Sequence, residues 1–460
     1  MRPLVSGVWL RLVTAAAAAA LVVLAMAAPV GAAGSPKLVK NINPTGSSFP
    51  TSLTQVGSTL FFAANDGVHG TELWKSDGTA AGTKMVKDIR SGAKSSDPEY
   101  LVNVNGKVFF TANDGKHKNQ LWKSDGTGRG TVRVSSIINW AYDSTYGLEM
   151  PLLPVAIGPR LFFFNQTCCM GTSEVYVSDG SPAGTKRLTD NYLSLLTDSP
   201  STAAFKGKFY FAASSSSGSG EVLWVSDGSV EGTHESVGSP DGDRINILPV
   251  SGQNLYFAIY NENNYQPYTQ LWKTDGTKRG TKPLTSVGEL GGAPNEVPDE
   301  AAYMAKRLYF SSYYWDSENY DYYGQLWQTN GTAKGTNPVL TVAEYEVRDL
   351  TTSDGRLFFT VNDHLWKSDG TAAGSTDLGA FGTQSPRELI AVGHELCFAE
   401  MDWNAGTWSL WESNGSRSGT YRVGAFAGSP DVLQKATIGG RLFFAANDIA
   451  HGMELWSYTP

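Results

Sequence analysis

Three sets of residues in this chain are of types that could do chemistry. An Asp stands before Gly and then Thr or Ser at Asp77, Asp125, Asp179, Asp227, Asp275 and Asp369, and a recurring carboxylate is a candidate calcium ligand or catalytic acid. Calcium loops need several oxygens at close, alternating spacing, whereas each copy here brings one, and Asn330 and Asn414 stand in the same slot without charge. The pattern therefore predicts turns, with the side chain accepting backbone N–H groups and Gly supplying positive φ. His69, His117 and His451 also share a slot, after Asp66, Asp114 and Asp448. A metal needs three or four converging ligands, while equivalent loops of separate repeats point apart, so neither metal nor cofactor is expected. With no Ser-His-Asp order, phosphate loop or paired-carboxylate spacing, no catalytic residue is assigned.

The third set is aromatic. Three insertions carry Trp140 and Tyr142; Tyr260, Tyr265 and Tyr268; and Tyr313, Tyr314, Trp315, Tyr320, Tyr322 and Tyr323, interleaved with Asn, Asp and Glu. Such a mixture suits contact with a protein partner, or stacking on sugar rings while polar groups read hydroxyls.

The elements that must position these residues are repeats. The phrase Glu72-Leu73-Trp74-Lys75-Ser76-Asp77-Gly78-Thr79 returns in degraded form with Trp122, Tyr176, Trp224, Trp272, Trp327, Trp366, Trp411 and Trp456 in the Trp74 position. Nine copies at intervals of roughly 40–55 residues match the length of one small sheet. Within the first copy, Ser52–Val56, Thr59–Ala64, Thr71–Lys75 and Lys84–Ile89 read as four strands separated by turn residues, with no sustained helical period. A lone meander has two apolar faces to cover, so the copies must pack on one another.

A radial β-propeller and a linear solenoid both satisfy that need, and the ends decide between them. Lys37-Leu38-Val39-Lys40-Asn41-Ile42 has the pattern of a repeat's fourth strand with no repeat before it, while the ninth copy ends at Pro460 without one. The ends complete each other, which predicts an all-β propeller of four-stranded antiparallel blades, closed by the N-terminal strand on the last blade. Direct count gives nine blades; eight is the alternative, since most propellers have four to eight. The register of the Trp residues assigns them to packing between blades. Trp140, Trp315, Trp403 and Trp408 fall outside that register. Two of the aromatic insertions enlarge hairpins between strands two and three and the third joins strand four to the next blade, so all three decorate one face and the Asp-Gly-Thr turns the other.

The recurring phrase resembles the bacterial repeat family described by the motif ELWxxDGTxxGT, strongly at Asp77-Gly78-Thr79, Asp125-Gly126-Thr127, Asp275-Gly276-Thr277 and Asp369-Gly370-Thr371. The resemblance implies a secreted or surface protein of tandem repeats and carries over no catalytic residue.

Composition narrows the rest. A formal charge of −8 and a pI near 5.4 leave no basic stripe for phosphates, which excludes nucleic-acid binding. Residues 1–33 read as a signal peptide: Arg2 and Arg11 precede an Ala/Val/Leu run, and small residues at 31–33 offer a cleavage site. An uncleaved anchor is the competing reading, and no later segment is apolar enough to span a bilayer. Cys168, Cys169 and Cys397 form no disulfide framework. Residues 37–460 are expected to be one propeller domain, secreted or at the cell surface, that binds a protein or glycan. The alternative is a glycosidase or lyase working in the central channel, which convergent Asp, Glu, Arg or His side chains around the axis would favour.

Overall fold

The computed structural model describes residues 34–135, 154–168, 172–189, 193–194, 201–215, 220–236, 244–248, 252–261, 268–286, 290, 300–316, 321–343, 346–428 and 434–460. In the first repeat the run Leu60 to Ala64 is buried on both faces, as befits a strand with neighbours on either side and a sheet against each face. Strand Thr59–Asn65 pairs antiparallel with Thr51–Val56 on one edge and Thr71–Ser76 on the other, and Lys84–Lys87 completes the sheet. Register sets Phe62 opposite Trp74. Among the described residues there is no α-helix, only a single 3₁₀ turn at Ala333–Gly335, and no helix long and apolar enough to cross a membrane.

Every repeat follows this plan, and the chain is a β-propeller. The described strands form eight hydrogen-bonded sheets, the alternative number, rather than nine. Seven repeats each build their own sheet. The eighth (Arg387–Val392, Glu395–Asp402, Thr407–Ser413, Thr420–Ala427) and the ninth (Lys435–Ile438, Arg441–Asp448, Gly452–Tyr458) share one eight-stranded sheet, joined where Ala427 pairs with Asn447. The cause is the long fourth strand of repeat eight, which runs on from Thr420 to Ala427 and reaches the second strand of its neighbour. The missing outer strand of repeat nine is supplied from the other end of the chain: Lys37–Lys40 pairs antiparallel with Gly452–Tyr458, Leu38 opposite Trp456. Buried Glu454 fastens this joint by accepting N–H bonds from Ile42 (3.0 Å) and Asn43 (3.1 Å) and the Ser48 hydroxyl (2.7 Å).

Packing runs from sheet to sheet. Phe61 and Leu73 of the first repeat share a core with Val108, Phe110 and Trp122 of the second, and Val39, Leu60, Phe62 and Trp74 share one with Phe443 and Leu455 of the ninth. In repeats three to eight the in-register aromatic ring stacks on a second-strand Phe ring of its own repeat, as in Phe257–Trp272 and Phe310–Trp327. Of the Trp residues outside the register, Trp408 is core, 2% exposed and stacked on Phe426 at the joint between repeats eight and nine. Trp403 stands 53% exposed on a hairpin of repeat eight.

Candidate functional site at the channel mouth

First strands of most successive repeats lie against one another, and among the described residues four of them carry the same irregularity. Register slips between Thr51 and Thr54, Glu99 and Val102, Arg348 and Thr351, and Arg387 and Ile390. Each slip is a bulge in which a residue before Leu takes a left-handed backbone: Ser52 (φ 56°), Tyr100 (54°), Asp349 (57°) and Glu388 (59°). Non-glycine residues accept such angles at a cost on the order of 1–3 kcal/mol, and bulges re-aim side chains.

In repeats seven and eight the re-aimed side chains are carboxylates, and they link one first strand to the next. Glu300, at the start of repeat six, accepts the Leu350 N–H (3.2 Å). Asp349 accepts the Glu388 N–H (3.2 Å). Lys435 Nζ donates to the Glu388 carbonyl (2.9 Å) and also pairs with its carboxylate, and Gln434 Oε1 accepts the Ser52 N–H (2.7 Å). Burial pushes the Asp349 carboxyl up; the Glu388 N–H and Lys435 oppose this and the Glu388 charge adds to it.

Of these groups, Asp349 and Glu388 line a hollow of about 510 Å³ whose wall also includes Tyr313, Glu346, Arg348 and Arg387. Arg348 pairs with Glu346. The cluster brings three carboxylates and two guanidinium groups to one face of the ring, the face of the two-to-three hairpins and inter-repeat connections. Sequence reasoning missed it. The available sign was the pair of dipeptides Arg348-Asp349 and Arg387-Glu388, placed 39 residues apart at the head of equivalent strands.

Of the aromatic residues expected to bind, Tyr313 lines this hollow. Tyr260 is buried, and Tyr268 and Tyr323 are half-buried. Tyr314, Trp315 and Tyr322 lie in the strand pair Arg307–Asp316 and Asp321–Thr329, with Tyr314 opposite Tyr323 and Trp315 opposite Tyr322. That insertion thus lengthens a hairpin into a ribbon, because Tyr and Trp favour strand. Trp140, Tyr142, Tyr265 and Tyr320 lie outside the described residues, as does the segment 1–33.

The Asp-Gly-Thr turns are structural. Asp77 Oδ1 accepts both the N–H (2.9 Å) and the hydroxyl (2.7 Å) of Thr79, which hold its carboxyl below the ordinary value. The Lys of the same phrase reaches the next repeat: Lys75 Nζ donates to the Gly126 carbonyl (2.7 Å) and Lys123 to that of Gly180 (2.6 Å). Glu72 is buried and accepts N–H bonds from Ile89, Arg90 and Ser96, which ties down the connection into repeat two. Each His of the shared slot turns Nδ1 to its own Asp, as in His69 to Asp66 (2.8 Å). The described residues contain no group of three or more His, Cys, Asp or Glu placed to hold a metal. Cys397 is free and buried.

No family profile and no curated protein matches the chain. Solved structures do. One from a study of two prolyl endopeptidases is 10% identical over 79% of this chain and 54% of that one, with a TM-score of 0.44, so the chain spans about half that peptidase's length. The β-propeller domain of the Trilobed protease from Pyrococcus furiosus is 13% identical over 72% of this chain and 96% of that one (TM-score 0.37). A structure of a eukaryotic initiation factor is 9% identical over 84% and 91% (TM-score 0.49). Likeness at this level assigns no activity; the strand order and ring closure themselves define the protein as a β-propeller.

Proposed function

We propose that the protein is an extracytoplasmic, non-catalytic binding propeller of the ELWxxDGTxxGT kind, and that it recognises a glycan at the channel mouth of repeats six to eight. The observation that carries this reading is the hollow whose wall holds three carboxylates and two guanidinium groups together with Tyr313. Acceptors and donors sharing one wall with an aromatic ring suit a neutral, polyhydroxylated ligand. The signal-like segment 1–33 supports the compartment. The test is a glycan array followed by calorimetry: Arg387→Ala and Asp349→Asn should weaken any binding found by about tenfold or more without lowering Tm. Capture of a surface protein with no glycan bound would point to the protein-binding form of this function.

A hydrolase in the channel is the second reading, favoured by the shared placement of Asp349 and Glu388. Two carboxyl groups beside one hollow are what glycoside hydrolysis uses. Here, however, Asp349 is held by a backbone N–H and Glu388 by Lys435, so both already serve as struts between strands. Release of nitrophenol from nitrophenyl glycosides, lost in Glu388→Gln, would establish the enzyme; its absence alongside glycan binding supports the binder.

A further inference from the structure

The charged hollow has a neighbour on the same rim. Repeats nine, one and two border a second, open depression of about 540 Å³, walled among others by Ser52, Thr54, Glu99, Tyr100 and Gln434. The two are joined by consecutive residues: Gln434 accepts the Ser52 N–H in the second, and Lys435 holds Glu388 in the first. Both are made by the same device, a first-strand bulge with a left-handed residue, at Ser52 and Tyr100 on one side and at Asp349 and Glu388 on the other. Their chemistry differs. The first presents three carboxylates and two guanidinium groups; the second presents hydroxyls, an amide, a phenol ring and one carboxylate, Glu99.

A compact ligand would fill one hollow and leave the other without use. Two unlike hollows in succession along a rim fit a ligand with successive unlike units, and among glycans that is a chain of sugars. We infer that the two depressions are consecutive subsites for one oligosaccharide, with a neutral sugar unit in the second, against Tyr100 and between Thr54 and Gln434. The inference rests on the glycan reading and adds chain length and direction to it: the ligand runs along the rim from repeat seven across Lys435 and Gln434 toward repeat two. Tyr100, half-buried against the core of repeats two and three, borders the depression with its side chain, the Ser52 hydroxyl can donate or accept, the Thr54 hydroxyl keeps an acceptor site, and the Gln434 amide keeps its NH₂, so the second subsite contributes affinity only to a ligand long enough to reach it.

The experiment is calorimetry of the whole protein against ladders of chito-, cello- and xylo-oligosaccharides of one to six units. Affinity should rise by about tenfold or more between the shortest bound member and the longest. Glu99→Gln and Tyr100→Leu should erase that rise and leave the shortest member's Kd unchanged, whereas Asp349→Asn should weaken every length. If Tyr100→Leu melts early, Glu99→Gln alone carries the comparison. Affinity that is flat with length, or second-subsite variants that weaken all lengths equally, would overturn the inference while leaving the glycan reading in place. No binding to any ladder would overturn the inference, and no binding on the glycan array as well would overturn both.

Discussion

Gly82 lies so close to Asp77 that a Cβ at position 82 would overlap the carboxylate. The same holds between Gly130 and Asp125, Gly280 and Asp275, and, with an amide instead, between Gly335 and Asn330. Two parts of the recurring phrase thus depend on each other: the Asp folds back over its own turn, and the later Gly leaves it room. Gly82→Ala should cost about 1–3 kcal/mol as an overpacking change. Asp77→Asn should leave stability nearly unaltered, because the Oδ1 that receives Thr79 is retained. On an Asp77→Ala background the penalty of Gly82→Ala should shrink, and urea unfolding of the parent, Asp77→Ala, Gly82→Ala and the double variant reads the coupling.

The in-register Trp residues are not equal. Trp327 is almost wholly buried and stacked on Phe310, while Trp272 is only half-buried against Phe257. Trp327→Ala should therefore cost about 3–5 kcal/mol and Trp272→Ala less. Equal losses by chemical denaturation would show that burial does not set the contribution.

Ring closure can be tested from either partner. Removing residues 34–42 exposes the edge of Gly452–Tyr458 and should lower Tm or cause aggregation. Glu454→Ala leaves the Ile42 and Asn43 N–H groups buried without acceptors and should destabilise in the same direction, by about 1–3 kcal/mol for each orphaned group. A truncated protein that melts like the parent would contradict the role of this joint.

Asp349 predicts a pH dependence with a definite sign. Its carboxyl is raised in the folded state, chiefly by burial. Its contribution to stability is accordingly complete below the ordinary Asp value of 3.8 and is lost as pH rises through the higher folded value. Asp349→Asn should remove that fall, so the difference in stability between the two proteins should change over the interval just above pH 3.8 and be constant on either side. A wild-type carboxyl that titrates below 3.8 by NMR would reverse the expectation.

Much of the fold was legible because each repeat states its own pattern. The apolar run from Thr59 became Thr59–Asn65, Thr71–Lys75 became Thr71–Ser76, and the orphan segment at Lys37 became the missing outer strand of the ninth repeat. Turn residues and alternation are local signals, and the repeats multiplied them. What escaped depends on residues far apart in sequence. The fusion of repeats eight and nine turns on one pair, Ala427 with Asn447, which no local pattern marks. Ser, Tyr, Asp and Glu give no sign that positions 52, 100, 349 and 388 will adopt a left-handed backbone. The mouth cluster is made only when these strands come together, whereas the aromatic insertions advertised themselves by length. Trp408 shows the reverse limit, a residue out of register yet central to a core.

The pairing of Lys37–Lys40 with Gly452–Tyr458 also orders events in time. A ribosome delivers the first of these strands hundreds of residues before the second, so for most of its synthesis the molecule can be no more than an incomplete arc with two raw edges. Local meanders can form early, but the longest contact must form last, and loop-closure entropy makes such contacts slow. The growing chain is therefore vulnerable at both raw edges until Gly452–Tyr458 has been made. A brief pause or a premature stop just before Gly452 should do more harm to solubility than a lesion of equal size within any single repeat.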